Sequence, residues 1–401
     1  MEFRSQNYQG RKFFSMQQKT IYTIAIFCCL FFSSACVQAD HHAETNENPP
    51  STNQKIQAAI LLDVSNSMDG LIDQAKAQLW NMVSTMGKAK CNGATPKIEI
   101  ALYEYGRTTN NEKAGFVKQL MPFTTDLDSL SQILFSLKTD GGDEYCGQVI
   151  YTSLNNLAWD NTTGNYKVIF IAGNEDFLQG NLHYKKACTL AKQKGVIVNT
   201  IYCGDRTQGI SEHWNVNDEC GGGSFTNINQ NERIEEIPTP YDDQIITLNE
   251  KLNGTYIAYG SDGFSKSASQ KKVDADNRNV NKSVEVKRIT VKSNKALYKN
   301  ESWDIVDKYE DDKEIVSKIN KATLTDSLRN KSDGEIQKIV IQKKKEREDI
   351  QKQITSLNAS RDKFIATEKS KVKNQNNKAT LETEIEKIIR KQAKEFNMVI
   401  E

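Results

Sequence analysis

The chain has 401 residues, 37% of them hydrophobic and 26% charged, with 53 Lys and Arg against 52 Asp and Glu for a net charge of +1. That balance supplies no overall field to gather DNA or RNA, so no nucleic-acid partner is expected. A single short apolar run, with no repeated spans of about 20 apolar residues, excludes a multi-pass membrane protein. All eight Cys lie at or before Cys220 and all six Pro at or before Pro240. The chain therefore divides into a turn-rich, Cys-bearing front and a Lys- and Glu-rich rear whose composition favours long helices or disorder.

Residues 21–35 (IYTIAIFCCLFFSSA) form an apolar run behind Arg11, Lys12 and Lys19, the layout of an export signal. Ser33, Ser34 and Ala35 then precede Cys36, which resembles a bacterial lipobox. This favours a signal over 1–36, a lipidated Cys36 and attachment to a membrane through that lipid. Ser33 stands where Leu is usual, and Val37-Gln38-Ala39 leaves open ordinary cleavage after Ala39 with release of a soluble protein. Residues 37–54 are polar and contain Pro49 and Pro50, as a tether would.

Next come four short, mostly continuous apolar runs, at 58–62 (AAILL), 98–103 (IEIALY), 168–172 (VIFIA) and 196–202 (VIVNTIY), each reading as a buried parallel strand. Between the first two, Leu71, Ile72, Ala75, Leu79, Met82, Val83 and Met86 keep helical spacing up to Gly87. Residues 116–119 offer a short edge strand. Further helices are predicted around Leu127 to Leu137 and over 144–158, 182–194 and 241–252. This order predicts an α/β, doubly wound, mainly parallel sheet over 55–260 with helices on both faces. Ligands of such sheets bind beyond the carboxyl ends of the strands, in the loops after Leu62, Tyr105, Leu137, Ala172 and Tyr202. Strand direction also puts Cys146, Cys203 and Cys220 near that rim and Cys91 at the opposite end. A disulfide is expected between two of those three, and with five Cys downstream of the tether at least one stays unpaired.

Directly after the first strand stands Asp63-Val64-Ser65-Asn66-Ser67. Alternation aims one carboxylate and two hydroxyls at one spot, a suitable shell for a hard divalent cation. The bland alternative is that Ser65 or Ser67 caps the following helix. With these residues the segment resembles a von Willebrand factor type A (VWA) domain, whose metal-ion-dependent adhesion site, or MIDAS, opens with Asp-x-Ser-x-Ser. The blocks ILLDVSNSMDGLIDQAK, LYEYG, GGDEYCG, IFIAGNE, IYCGD and PTPYDD are similar to exported bacterial VWA proteins without assigned activity.

The resemblance implies a Rossmann-like fold and a Mg²⁺, Mn²⁺ or Ca²⁺ ion held by three loops, with a protein partner completing its coordination. Asp63, Ser65 and Ser67 carry over directly as ligands. The other two loops depart from the pattern. Gly141-Gly142-Asp143-Glu144 stands where the family has Gly-Gly-Thr, and Glu175 or Asp176 follows Gly173, near which an Asp is expected. Asp143 and Glu175 therefore complete the expected metal set. Three carboxylates would weaken the ion's pull on an acidic partner and suit Ca²⁺ better. A relic site that binds no metal is the competing reading.

His183 and His213 are isolated, and no GxSxG elbow surrounds Ser65 or Ser67, so acyl-transfer chemistry is not expected. Behind 260, residues 261–330 read as linker and mixed helix, with 261–282 polar and 283–292 (SVEVKRITVK) undecided between strand and helix. Within 331–401, Ile336, Val340, Ile350, Ile354, Leu357 and Phe364 share one helical register interrupted by Lys343, Arg347 and Arg361. Such a seam suggests a helical hairpin or weak coiled coil that would allow self-association, or else a solvated helix or disordered tail. Taken together, the chain reads as an exported envelope lipoprotein whose cation site recruits a protein or another envelope component, not as an enzyme. Scaffolding through the rear helices is the alternative, and metal-dependent hydrolysis ranks below both.

Overall fold

Apolar runs buried on both faces set the centre of the molecule, seen in a computed structural model that describes residues 54–229, 231, 237–371 and 380–400. The export-like run, Cys36, Ala39 and the tether to residue 53 lie outside the described residues. In chain order the front comprises β1 (Lys55–Asp63), α1 (Asp69–Gly87), β2 (Ala89–Lys90), β3 (Lys97–Tyr105), β4 (Lys118–Thr124), α2 (Leu127–Ser136) and α3 (Cys146–Asn156). It continues with β5 (Tyr166–Gly173), α4 (Tyr184–Lys194), β6 (Ile197–Cys203), α5 (Arg206–Ser211), β7 (Phe225–Ile228) and α6 (Asp242–Asn253). The rear adds α7 (Gly263–Val280), α8 (Lys282–Lys292), α9 (Ile305–Asp311), α10 (Ile315–Lys318), α11 (Asp326–Arg329), α12 (Asp333–Lys371), α13 (Leu381–Ala393) and β8 (Val399–Ile400).

Six strands form one sheet in the order β4-β3-β1-β5-β6-β7. All neighbours are parallel except β4, which runs antiparallel to β3 at the edge. Every residue of β5 and β6 is buried, as helices on both faces require. One apolar layer unites the sheet with α1, α2 and α13, and the other unites it with α3 and α4. The four expected strands appear where their apolar runs lie. Strand β7, only FTNI behind three glycines, has no such run and was not legible.

The expected disulfide is corrected. Cys220 pairs with Cys188 of α4, while Cys91, Cys146 and Cys203 are buried free thiols. After α5 the chain does not stay on the upper rim. It runs back down until the Val198 amide donates to the Cys220 carbonyl, at the start of β6 and beside α4.

The rear does not form an appendage. Residues 263–280 are a helix that buries Gln270, Val273, Asp274 and Asn277, and SVEVKRITVK forms α8. The seam of α12 is consumed inside the chain, which corrects the coiled-coil expectation. Ile336 and Val340 pack with Ile305 and Val306, and Ile354 packs with Ile245 and Ile289. The interrupting arginines are buried with them. Arg347 lies 2.7 Å from Asp304 and 2.5 Å from Asp307, and Arg361 lies 2.8 Å from Asp242. Among the described residues no helix is long and apolar enough to cross a membrane.

Arg288 joins rear to front. Its fully buried guanidinium sits 2.7 Å from Asp128 of α2 and 3.1 Å from Asp274 of α7, and over the ring of Trp80 of α1 at 4.4 Å. Truncation would leave Asp128 buried without its ion-pair partner, so Arg288→Ala should cost about 3–5 kcal/mol in urea unfolding of the full chain. A loss under about 1 kcal/mol would show that the network is not needed.

Candidate metal site

The central strand β1 delivers Asp63 to the carboxyl end of the sheet, between Tyr105 of β3 and Gly173 of β5. There the chain leaves the strand, and the Ser65 amide donates to Asp63 Oδ1 at 2.8 Å. Ser65 heads a short 3-10 turn, Asn66–Met68, without a side-chain capping hydrogen bond, so capping does not account for its hydroxyl. The Ser65 and Ser67 hydroxyl oxygens lie 3.3 Å apart, and Ser67 Oγ donates to Asn174 Oδ1 at 3.3 Å. The first loop and the loop after β5 are thus in contact. The third loop is fastened to both its neighbours, since the Asp140 amide donates to the Val64 carbonyl and the Thr108 amide to the Gly141 carbonyl, each at 2.8 Å.

Asp63 is fully buried, and its Oδ2 has no hydrogen-bond partner. Tyr105 passes close by, but its hydroxyl donates instead to the Ala172 carbonyl at 3.0 Å. Below it, Cys146 Sγ lies 3.8 Å from the same hydroxyl. Two glycines make the space. A Cβ on Gly173 would fall 3.0 Å from Asp63 Oδ2, and one on Gly106 would fall 2.9 Å from both Asp63 Oδ1 and Glu144 Cγ. Gly106 also has φ +83°, which side chains rarely adopt.

Of the five expected ligands, Asp63, Ser65 and Ser67 share one loop, and Glu175 is close enough to raise the Asp63 pKa. Asp143 is corrected: its carboxylate is exposed and accepts a hydrogen bond from the Tyr145 hydroxyl at 3.1 Å. Glu144 is the inward carboxylate instead. The Gly142 backbone is pressed so tightly against the Gly106 carbonyl that a Cβ there would sit 2.5 Å away. That contact fixes the phase of the loop one residue later than expected. The pair Asp143-Glu144 was legible as acidic, but which of the two faces inward was not.

Burial foremost, and Glu175 after it, push Asp63 up to about 7. Burial, followed by Asp63 and Glu175, pushes Glu144 up to about 8. Burial also raises the Cys146 and Cys203 thiols, so neither is a ready thiolate. Among the described residues no three His, Cys, Asp or Glu side chains already form a metal cage. The donor types nevertheless suit a hard cation, because the Asp63 loop offers a buried carboxylate oxygen without a hydrogen-bond partner and two hydroxyls, and Glu144 and Glu175 act on its surroundings electrostatically.

With divalent ions chelated, the folded chain holds protons on Asp63 and Glu144 that the unfolded chain releases near roughly pH 4. The folded state then binds more protons than the unfolded one between these values, and stability falls as pH rises from about 5 to about 8. Melting temperatures taken in chelator across that range should drop, with a shallower slope in Glu144→Gln. A slope that Glu144→Gln leaves unchanged would contradict this assignment.

No family model and no curated protein matches the chain. Among solved structures, proximal thread matrix protein 1 from the mussel byssus, with a zinc-occupied MIDAS motif, is similar over 44% of this chain and 42% of that one, at 11% identity and a TM-score of 0.33. An aerotolerance-related membrane protein from Bacteroides fragilis is similar over 44% of this chain and 93% of that one, at 17% identity and a TM-score of 0.30. A von Willebrand factor type A protein from Catenulispora acidiphila is similar over 44% and 39% respectively, at 12% identity and a TM-score of 0.33. The match spans less than half the length of the mussel and Catenulispora proteins. The chain's own topology carries the fold: a doubly wound sheet with one antiparallel edge strand, helices on both faces and Asp-x-Ser-x-Ser after the central strand. The front of the chain has a Rossmann-like, doubly wound fold.

Proposed function

We propose that the front domain is a binding module, not an enzyme, which holds one divalent cation on Asp63, Ser65, Ser67, Glu144 and Glu175 and uses it to engage a protein or envelope component. The supporting observation is one of charge balance. Eight carboxylates are buried among the described residues: Asp63, Glu104, Asp128, Glu144, Asp242, Asp274, Glu285 and Asp304. Six of them pair with an Arg or Lys. Only Asp63 and Glu144 among these eight have no described Lys, Arg or His in contact, and Glu175 has none among the described residues either. Burying carboxylates without counter-charge is costly, and an ion with oxygen ligands would supply the missing charge. Three carboxylates favour Ca²⁺ over the smaller Mg²⁺.

In this reading the chain is exported and anchored through a lipid on Cys36. The Cys188–Cys220 disulfide supports an oxidising compartment. Titration calorimetry of the full chain with Ca²⁺, Mn²⁺ and Mg²⁺ tests the metal site. One ion per chain should bind, with Kd on the order of 0.1–1 mM for Ca²⁺. Asp63→Ala should abolish the heat, and Glu144→Gln should weaken binding about tenfold, a loss of ~1.4 kcal/mol. Undiminished binding by Asp63→Ala would overturn the site.

A further inference from the structure

We propose that Lys292 and Asn253 close an intramolecular amide cross-link, Nζ to Cγ, with loss of ammonia and with Asp274 relaying a proton. The proposal is independent of the cation site and rests on a cluster where α6, α7 and α8 meet. Asn249 and Asn253 stand one helical turn apart on α6, Asp274 is on α7 and Lys292 on α8. Lys292 is fully buried, and its ammonium donates to Asp274 Oδ2 at 2.5 Å, to Asn249 Oδ1 at 3.0 Å and to Asn253 Oδ1. The same Asp274 oxygen accepts from Asn253 Nδ2 at 2.9 Å and from Asn249 Nδ2 at 3.2 Å. One carboxylate oxygen thus touches both the amine and the amide nitrogen that leaves.

Charge sets the orientation of both amides, since an ammonium accepts nothing and a carboxylate donates nothing. Each amide turns its oxygen to Lys292 and its nitrogen to Asp274, which presents the carbonyl group to the amine. Asp274 is held in place, because its Oδ1 accepts from Arg288 Nε at 3.1 Å. Around the amine stand Asp274 from α7, Arg288 on its own helix, Asp128 from α2 and the two amides from α6. Burial pushes Lys292 down to about 8, with Arg288 adding to that effect and Asp274 opposing it. Burial would also raise Asp274, but Lys292 and Arg288 outweigh it and hold the carboxyl below its usual range, ionised and able to accept a proton. A desolvated lysine that sheds its proton this readily is a nucleophile.

The neutral Nζ lone pair forms a bond to Asn253 Cγ, and the carbonyl π pair moves onto Oδ1. Asp274 takes one proton from Nζ and passes it to Nδ2. The Oδ1 pair then re-forms the carbonyl, the Cγ–Nδ2 bond breaks with its electrons on nitrogen, and ammonia leaves. Amine plus carboxamide become a secondary amide plus ammonia, a balance that needs no oxidant and no co-reactant. Asn253 is assigned over Asn249 because it ends α6 and is half-buried, which gives ammonia a way out, while Asn249 is sealed. The fold holds the reacting groups together, and that proximity offsets the weak electrophilicity of an amide. The link braces α6 to α8 in the stretch behind Cys220, which has no cysteine for a disulfide.

The test is peptide mapping by mass spectrometry of the full chain, incubated at about pH 9 so that most of the amine is neutral, then denatured and cut with trypsin. A linked Lys292 resists trypsin, so the expected product is a branched peptide joining 252–266 to 289–295, lighter by one ammonia than the two together. Separate, unmodified peptides would overturn the proposal. So would loss of ammonia without the branch, which marks succinimide closure at the Asn253-Gly254 step instead. A branch from 289–295 to 234–251 would put the link on Asn249 and overturn the choice of Asn253. Asp274→Asn should lower the branched fraction at least about tenfold through loss of the relay, and an undiminished fraction would overturn that role. Asn249→Ala removes a hydrogen bond from the same cluster but no reacting atom, and it should keep the branch, which separates loss of the relay from mere loosening of the cluster.

Discussion

A carboxylate at the end of the central strand, sealed from water and without a counter-charge among the described residues, is the constraint from which the upper rim follows. Asp63 cannot turn away, because β1 is held on both sides by parallel ladders to β3 and β5. Its neighbours are arranged so as not to neutralise it. Tyr105 spends its hydroxyl on a backbone carbonyl, Gly106 and Gly173 bring no side chain, and Glu144 and Glu175 add charge of the same sign. Among the other buried acids of the described residues the opposite solution is used, each facing an Arg or Lys. The contrast among the described residues sets the rim apart from the rest of the molecule, where buried charge is balanced internally.

The parts legible in the sequence were those written in local period and composition. Runs such as VIFIA read as buried strand, while Asp63, Ser65 and Ser67 are brought together by the turn that follows β1, where the Ser65 amide closes onto Asp63 and a 3-10 turn sets Ser67 beside Ser65. Glu144 was less accessible, because its inward direction depends on how Gly142 packs against Gly106, which lies on a different loop. The partner of Cys220 was hidden for a similar reason. Strand direction places the ends of strands, but the return path from α5 to the foot of β6 is set by contacts that no local pattern announces. Strand β7, with four residues, falls below what periodicity can detect.

In the rear half the misleading signal was charge. Arg347 and Arg361 interrupt an apolar register, and an interrupted register normally means a solvated face. Here their carboxylate partners lie far away in sequence, Asp304 and Asp307 on or beside α9 and Asp242 on α6, so that polar residues become core residues once the chain is folded. The polar face of α7 behaves alike: Trp80 Nε1 donates to Asn277 Oδ1 at 2.7 Å, and Lys292 of α8 pairs with Asp274 at 2.5 Å. Composition counts such residues as hydrophilic without indicating whether they will find each other.

The placement of α13 has a consequence for the order of events during synthesis. Leu381, Ile385, Ile388 and Ile389 belong to the same apolar layer as β1 and α1, and Tyr166 of β5 donates its hydroxyl hydrogen to Gln392 at 2.8 Å. Strand β8 then adds to β2, which directly follows α1. A nascent chain that has emerged as far as α6 holds all six strands of the sheet but lacks the helix that covers part of one face. Maturation of the front domain must therefore wait until α13 has left the ribosome, with apolar surface uncovered in the interval.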